Sequence, residues 1–354
     1  NLVLGNQTQF EQQASASLRR ISQNFNQAFK KTNALGSISA DFNRFDQSLQ
    51  ASTARILSFG ASTAIIFSVQ RAFTELIKTT IDVEKALKDV NVILNLSDKS
   101  LSTFGEGLFD IAKNTGQTFK EVTKAAVEFS RQGLGAAETL KRTKDALILT
   151  RLSGLDAAEA VRALTTTINT FQKEAIDSTV ALNKLASVDA KFAVSSRDLA
   201  EALSRVGSAA TDAGVTFDEL LASVASVAQI TGRSGAVIGN SLKTIFTRVG
   251  RPETLDTLES LGVAVRDLQG NTLPALRVLS NLANVYDDLN VSQKSQIDAL
   301  TAGIFQINVF KAAISDLGKE FGIYKSALDT ANTATDAAIK RNEELNTTLS
   351  AKLN

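Results

Sequence analysis

Glycines at helix ends are the feature that most constrains how this chain can fold. Between residues 98 and 250 they recur roughly every fifteen to twenty residues, and the stretches between them have the length and capping signals of globular helices. Only two prolines occur in 354 residues. The sequence therefore predicts an all-α fold: a glycine-punctuated multi-helix domain flanked by extended helices of coiled-coil type. The glycines expected to end, hinge or pack these helices are Gly116, Gly133, Gly154, Gly214, Gly232, Gly235 and Gly239.

Two helix starts share one local pattern. Residues 116–121 and 214–219 both have the form G-x-T-F-x-E, in which the threonine and the glutamate three residues later form a capping box. The match is typical of an internal duplication of a helix–glycine–helix unit. It is equally typical of helical hairpins in general, because a stop glycine followed by a capping box is how many of them are encoded.

Composition excludes several kinds of chemistry. The chain has no Cys, His, Trp or Met, which removes thiol nucleophiles, imidazole bases, disulfides and nearly all transition-metal sites. The carboxylate pairs Asp256/Glu259 and Asp287/Asp288 are expected to be solvated on helix faces, without the unlike environments that acid–base catalysis needs. We therefore expect no enzyme activity and no cofactor.

Charge argues against nucleic acid as a partner. The 38 basic residues balance 37 acidic ones, and no window joins Lys or Arg to aromatic neighbours as a nucleic-acid groove would.

The chain starts at Asn1 without any Met, so we expect it to be part of a longer protein.

Residues 1–60 are polar, with apolar positions at helical spacing. An unbroken seven-residue step predicts a self-associating seam, with a symmetric bundle of about three chains. The alternative is one amphipathic face packed on a neighbouring domain. The seam residues are Ile21, Ala28, Leu35, Phe42, Leu49 and Ile56.

The next segment, 61–97, is expected to form apolar and amphipathic linker helices. The run ILSFGASTAIIFSVQ from Ile56 to Gln70 would span roughly 22 Å as a helix, short of the about 30 Å of a bilayer core. Its small residues favour a buried packing helix, and a membrane-active segment is the alternative. An amphipathic helix is predicted over 74–96, with Ile77, Ile81, Leu87, Val90 and Leu94 as its apolar row.

The glycine cluster between Gly232 and Gly239 has three candidate interpretations: a phosphate loop, a hinge, or a close helix contact. A phosphate loop is disfavoured because Gly235 and Gly239 are one residue too close and Asn240 replaces the lysine. Gly235-x-x-x-Gly239, with Ala236 and Ser241 beside it, instead permits two helix backbones to approach closely.

Three further segments are predicted between residue 98 and the end of the chain. We expect a compact helical core over 98–250 and, over 251–329, an excursion with at most one small β-hairpin near 261–273, after which helices resume at Pro274. The segment 330–354 is expected to begin an exposed helix that continues beyond this chain, with Leu345, Leu349 and Leu353 four residues apart.

The succession of these motifs over about 61–317 resembles the helical core domain of bacteriophage tail tape measure proteins, of the minor-tail, TP901-like tape measure family. The residues that carry the resemblance, in chain order, are the stretches 83–90, 112–118, 213–219, 232–243 and 261–263.

This resemblance implies a structural virion protein, held in a few copies inside the tail tube or tail tip and made in the host cytoplasm. It would act as tail-length determinant and assembly scaffold, and would be released on DNA ejection. The implied partners are the tail tube protein, baseplate or tail-tip hub proteins, tail assembly chaperones and, transiently, the host membrane. A membrane-acting, channel-forming role during genome delivery is the alternative function.

Helix geometry qualifies this expectation. One uninterrupted helix of this length would measure roughly 530 Å. Because glycines interrupt the middle of the chain, it cannot be one rod. We expect most of the measuring length to lie outside it, and a shortened 98–250 region to disturb assembly without scaling tail length.

Overall fold

A computed structural model describes residues 83–353 and the side chains of residues 83–347. In this part of the chain helices follow one another through short turns and no β-strand occurs, which confirms the all-α prediction. In the region 261–273, where a hairpin was allowed, the backbone forms one isolated antiparallel bridge between Arg266 and Thr272.

Residues 83–94 are helical, and a series of labelled helices follows them. Their bounds are α1 Asp98–Thr115, α2 Phe119–Ser130, α3 Ala136–Ser153, α4 Ala157–Thr170, α5 Ser178–Lys191, α6 Ser196–Asp212, α7 Phe217–Thr231, α8 Gly235–Val249, α9 Pro252–Ser260, α10 Ala275–Tyr286, α11 Val291–Thr301, α12 Ile307–Leu317, α13 Ile323–Asn332 and α14 Ala337–Leu353. A short 3₁₀ turn, Gln172–Glu174, lies between α4 and α5.

Contacts divide the chain into two compact units between Phe109 and Asp110. In the described part of the first unit, Leu87 and Val90 are buried, as expected for the apolar row of an amphipathic helix. Leu87 packs against Gly105, where an added Cβ would lie 3.3 Å from its nearest methyl. The helix ends before Asn95, which has a positive φ of 48°.

Helix α7 forms the centre of the second unit. Residues from both its faces are buried, and it contacts α5, α6, α8, α12 and α13. A helix that is apolar on all sides must be surrounded by other elements. At its start, the ring of Phe217 packs on that of Phe171 with centroids 5.2 Å apart. The stretch 214–250, which the sequence marks by its glycines, is therefore the middle of the core.

The turn before α7 joins the start of α10. Gly214 has a φ of +72°, which a residue with a side chain adopts only with strain, and a Cβ there would lie 3.2 Å from Cβ of Pro274. The next residue, Ala275, donates its N–H to the carbonyl oxygen of Ala213 at 2.9 Å. Pro274 itself is the N-cap residue, so α10 begins one residue later than the sequence indicates.

The segment from 330 lies partly against the rest of its unit, although most positions between Lys340 and Thr347 are exposed. Thr330 and Ala331 are buried in α13, and after a short turn α14 packs its first half on α3 and α5. Ala338 and Asn342 are buried there. The composition of this helix is polar, so the burial of Asn342 depends on hydrogen bonds that a hydrophobic pattern does not reveal.

Several predicted features lie outside the described residues. These are the proposed oligomer seam from Ile21 to Ile56, the apolar run 56–70, and the positions Ile77 and Ile81.

Candidate functional site

Helices α6 and α8 lie side by side and run in the same direction, since Gly235 faces Asp198 and Gly239 faces Ala202, four residues further along each helix. A Cβ on Gly239 would lie 2.8 Å from the carbonyl oxygen of Ala202 and 2.9 Å from its Cα. A Cβ on Gly235 would overlap the carbonyl group of Asp198. The backbones are thus close enough that only glycine fits at both positions.

The carboxylate of Asp198 joins the two helix starts. Its Oδ1 accepts a hydrogen bond from the N–H of Gly235 at 2.8 Å, and its Oδ2 accepts one from the hydroxyl of Ser195 at 2.6 Å. The Asp198 N–H in turn donates to Ser195 Oγ at 3.1 Å, which caps α6. A carboxylate of the chain thus occupies the helix end where a phosphate loop would hold phosphate.

Two other helix starts are likewise capped by side chains of a preceding element. Glu174 accepts from the N–H of Phe217 with both oxygens, at 3.1 and 3.2 Å, at the start of α7. Asp316 accepts from the N–H groups of Ile323 and Tyr324 at 3.0 and 2.7 Å. These side chains satisfy amides that have no partner within their helix, and a negative charge there also suits the helix dipole.

Asp145 has a related role at the start of α5. It is buried, and its Oδ2 accepts hydrogen bonds from the hydroxyls of Ser178 and Thr179 at 2.6 and 2.8 Å. Burial raises the pKa of Asp145, and the two hydroxyl hydrogen bonds offset this only in part. The N-cap residue of α5, Asp177, forms an ion pair with Lys141 at 2.7 Å.

Arginines complete the pattern at helix C-termini. Arg248 donates from Nε to the carbonyl oxygen of Leu300 and from Nη2 to that of Ala299, both at 2.9 Å. Arg197 donates to the carbonyl oxygen of Gly154, the residue that ends α3. Cations at these carbonyls stabilise the negative end of the helix dipole. Acids at helix starts and arginines at helix ends therefore tie the short helices to one another.

The predicted glycines fall into two groups. Five have φ between +62° and +77° and follow helix ends, namely Gly116, Gly133, Gly154, Gly214 and Gly232. Their neighbours differ: Gly214 touches Pro274 and Gly116 lies beside Arg151, whereas a Cβ at the other three would meet nothing within 4 Å. Gly235 and Gly239 form the second group, and both lie at the contact between α6 and α8.

Two close contacts were not predicted. A Cβ on Gly207, within α6, would lie 3.1 Å from Cγ2 of Thr170 on α4. One on Gly322 would lie 2.7 Å from the carbonyl oxygen of Asp316. A glycine inside a helical pattern is the signal that could have revealed Gly207. No local signal marks Gly322.

The two G-x-T-F-x-E frames have the same local geometry in different surroundings. Thr118 with Glu121 and Thr216 with Glu219 both form complete capping boxes. Phe217 is fully buried in the core, whereas Phe119 is half-buried. The shared frame therefore accounts for how the two helices begin and not for what they pack against.

The carboxylate pairs considered for catalysis lie on the surface. Asp256, Asp287 and Asp288 are exposed, and the exposed Glu259 forms an ion pair with Arg266 at 3.0 Å. Within residues 83–353 no group of three or more acidic side chains could hold a metal ion.

The unit from Asp110 onward is thus a helical structural domain in which polar side chains join the ends of its helices to one another. The family model of the phage-related minor tail proteins matches residues 105–303, more than half of the chain. The chain belongs to this family, which supports a structural role in the phage tail, among other tail proteins, and a location in the virion. No solved structure matches the chain.

None of the helices within residues 83–353 combines the length and the apolar character that crossing a membrane requires.

Proposed function

We propose that this minor tail protein is the tape measure protein of a long-tailed phage, acting inside the tail tube or tail tip as length determinant and assembly scaffold and released on DNA ejection. The observation that carries the proposal is the coincidence of two ranges. The family match, 105–303, covers the glycine-punctuated helical core, where the sequence also resembles tape measure proteins.

Within this function, the unit from Asp110 onward is a folded element and contributes no measuring length. A straight helix of that many residues would extend roughly 370 Å. A compact domain of the same size has a radius of gyration of about 18 Å. Helix breaks and the caps by Asp198 and Glu174 favour the second state, because these caps join a helix to a side chain that a straight rod would carry far away. Tail length would then be set by extended helix outside this unit.

The proposed partners follow from this placement. Tube subunits would assemble around the extended helices, and the folded unit would contact the hub or baseplate proteins at the tail tip. Assembly chaperones would cover the protein before the tube forms. We propose about three copies per tail, on the basis of the seven-residue apolar row in residues 1–60.

The test is to isolate tails from cells infected with phage that encodes a tagged form of this protein. Quantitative mass spectrometry should find the protein in tails at about three copies, together with tube and hub proteins. The core-disrupting variant Gly239→Ala should reduce incorporation, whereas Gly250→Ala, where an added Cβ meets nothing within 4 Å, should not. Complete tails that lack the protein would contradict the proposal. Leakage of liposomes caused by the protein, without its incorporation into tails, would favour the membrane-acting alternative instead.

A further inference from the structure

Helix α14 presents a polar stripe to the rest of its unit. The inward positions are Ala338, Asn342 and Asn346, spaced four residues apart and therefore on one helix face. Between Lys340 and Thr347 only Asn342 is buried, and Asn346 is half-buried. The stripe thus contains one small apolar side chain followed by two amides.

The two amides hold the helix by matching hydrogen bonds. Arg151 Nη1 on α3 donates to Oδ1 of Asn342 at 2.8 Å and to Oδ1 of Asn346 at 2.6 Å. Both Nδ2 groups donate to the carbonyl oxygen of Asn114, each at 2.9 Å. Because each amide uses its oxygen for the guanidinium and its nitrogen for the carbonyl, the pair fixes the register of α14.

The start of α14 is also held by polar groups. The N–H of Ala338 donates to Oδ1 of the buried Asn183 on α5 at 3.0 Å. Arg341 forms an ion pair with Asp189 at 3.3 Å, with 43% of the arginine side chain exposed.

This mode of attachment differs from that of the core helices. Hydrogen bonds exchange for bonds to water when a helix separates, so each contributes little net free energy, and half-exposed ion pairs contribute less. Helix α7, by comparison, buries residues that include Phe217, Leu220, Leu221, Val224 and Val227. Separating α7 would expose a large apolar area, whereas between residues 337 and 347 of α14 the one fully buried apolar side chain is Ala338, beside the half-buried Ile339.

We propose that α14 is a detachable helix: it separates as a whole from α3, α5 and the Asn114 carbonyl of α1, while the rest of the unit from Asp110 stays folded. The amide pair makes the attachment specific in register and low in free energy. This inference goes beyond the proposed function and does not depend on it, because it concerns the opening of the isolated chain.

Hydrogen exchange followed by mass spectrometry on the full chain tests the proposal. In the wild-type protein, amides of residues 340–347 should exchange much faster than those of α7 and α8, with little dependence on low urea concentrations, as local opening requires. Asn342→Ala should speed exchange in α14 on the order of tenfold, without changing exchange in α7 and α8. The matched control is Asn240→Ala, at an exposed position of α8, which should leave exchange in α14 unchanged.

The proposal is overturned if wild-type α14 exchanges at the same rate as α7 and α8, with the same dependence on urea. It is also overturned if Asn342→Ala speeds exchange equally in all three helices. Either result would make α14 a part of the cooperative core.

Discussion

At the scale of single residues, the closest approach in the core depends on Gly239. An alanine there would place its Cβ 2.8 Å from the carbonyl oxygen of Ala202, and backbone atoms cannot move aside as a side chain can. We expect Gly239→Ala to lower the free energy of unfolding by about 3 kcal/mol, through overpacking.

Urea denaturation of the purified chain measures this effect. Gly250→Ala is the control, since Gly250 has an ordinary φ of −81° and open space around it, and its stability should change by about 0.5 kcal/mol or less. Equal stability of the two variants would show that α6 and α8 do not approach as closely as described.

Some helix caps could be predicted from the sequence and others could not. The capping boxes Thr118/Glu121 and Thr216/Glu219 were predictable, because partners three residues apart leave a local pattern. Glu174 and Asp316 cap helices without such a pattern: Glu174 lies 43 residues from Phe217. Fold class and helix ends therefore follow from sequence, whereas the side chains that join the helices appear only in three dimensions.

Two neighbouring aspartates should give opposite responses to pH. The pKa of Asp145 is raised by burial, so the folded state binds this proton more tightly than the unfolded chain does, and stability falls as pH rises through the raised pKa. Asparagine at position 145 keeps an acceptor for Ser178 and Thr179 and has no charge to bury. We expect Asp145→Asn to be at least as stable as the wild type at pH 7, and its advantage to disappear in acid.

At Asp177 burial also raises the pKa, but hydrogen bonds from Lys141 and from the N–H of Val180 outweigh it and leave the pKa below its ordinary value. Its contribution to stability is present above the unfolded-state pKa and is lost as pH falls through the lowered pKa. Asp177→Asn should therefore cost about 0.5 kcal/mol at pH 7 and nothing in strong acid. Urea denaturation as a function of pH measures the free energy of unfolding of each variant relative to the wild type. This difference should rise with pH for Asp145→Asn and fall with pH for Asp177→Asn, and slopes of the same sign would refute the assignment.

At the scale of helices, Asp316 links three elements. It lies on α12, accepts from Ser226 Oγ on α7 at 2.6 Å and caps the start of α13, and it is only 2% exposed. Asp316→Ala would leave these donors buried without an acceptor. We expect a loss of about 3 kcal/mol in the free energy of unfolding.

Thermal and urea unfolding followed by circular dichroism would detect this loss. Asp329→Ala, at an exposed position of α13, is the matched control and should be close to neutral. An Asp316→Ala variant as stable as that control would show that this cap does not hold α13 in place.

Helix α14 shows why element positions are harder to predict than element types. Its polar composition predicted an exposed helix, and most positions between Lys340 and Thr347 are exposed. In the structure Asn342 is buried because Arg151 and the Asn114 carbonyl satisfy its amide. Burial of this kind depends on partners 191 and 228 residues away, which no periodicity encodes.

At the scale of the whole molecule, the folded core and the proposed length determination belong to different parts of the protein. A chain interrupted by positive-φ residues at Gly116, Gly154 and Gly232 cannot extend as one rod, and its breaks are stabilised by contacts between helices. The family match places this folded region in a phage tail protein. The proposed role in length determination therefore has to be tested on segments and not on the protein as a whole.

The most direct test is tail length, measured by electron microscopy on phage with deletions in this gene. Removal of α3, which has 18 residues, would shorten a straight helical ruler by roughly 27 Å. We predict that this deletion prevents tail assembly or leaves tail length unchanged. A deletion of equal size before residue 60, where the sequence predicts extended helix, should shorten tails by about that amount. Tails shortened by roughly 27 Å after removal of α3 would contradict the account, because the folded core would then be part of the ruler.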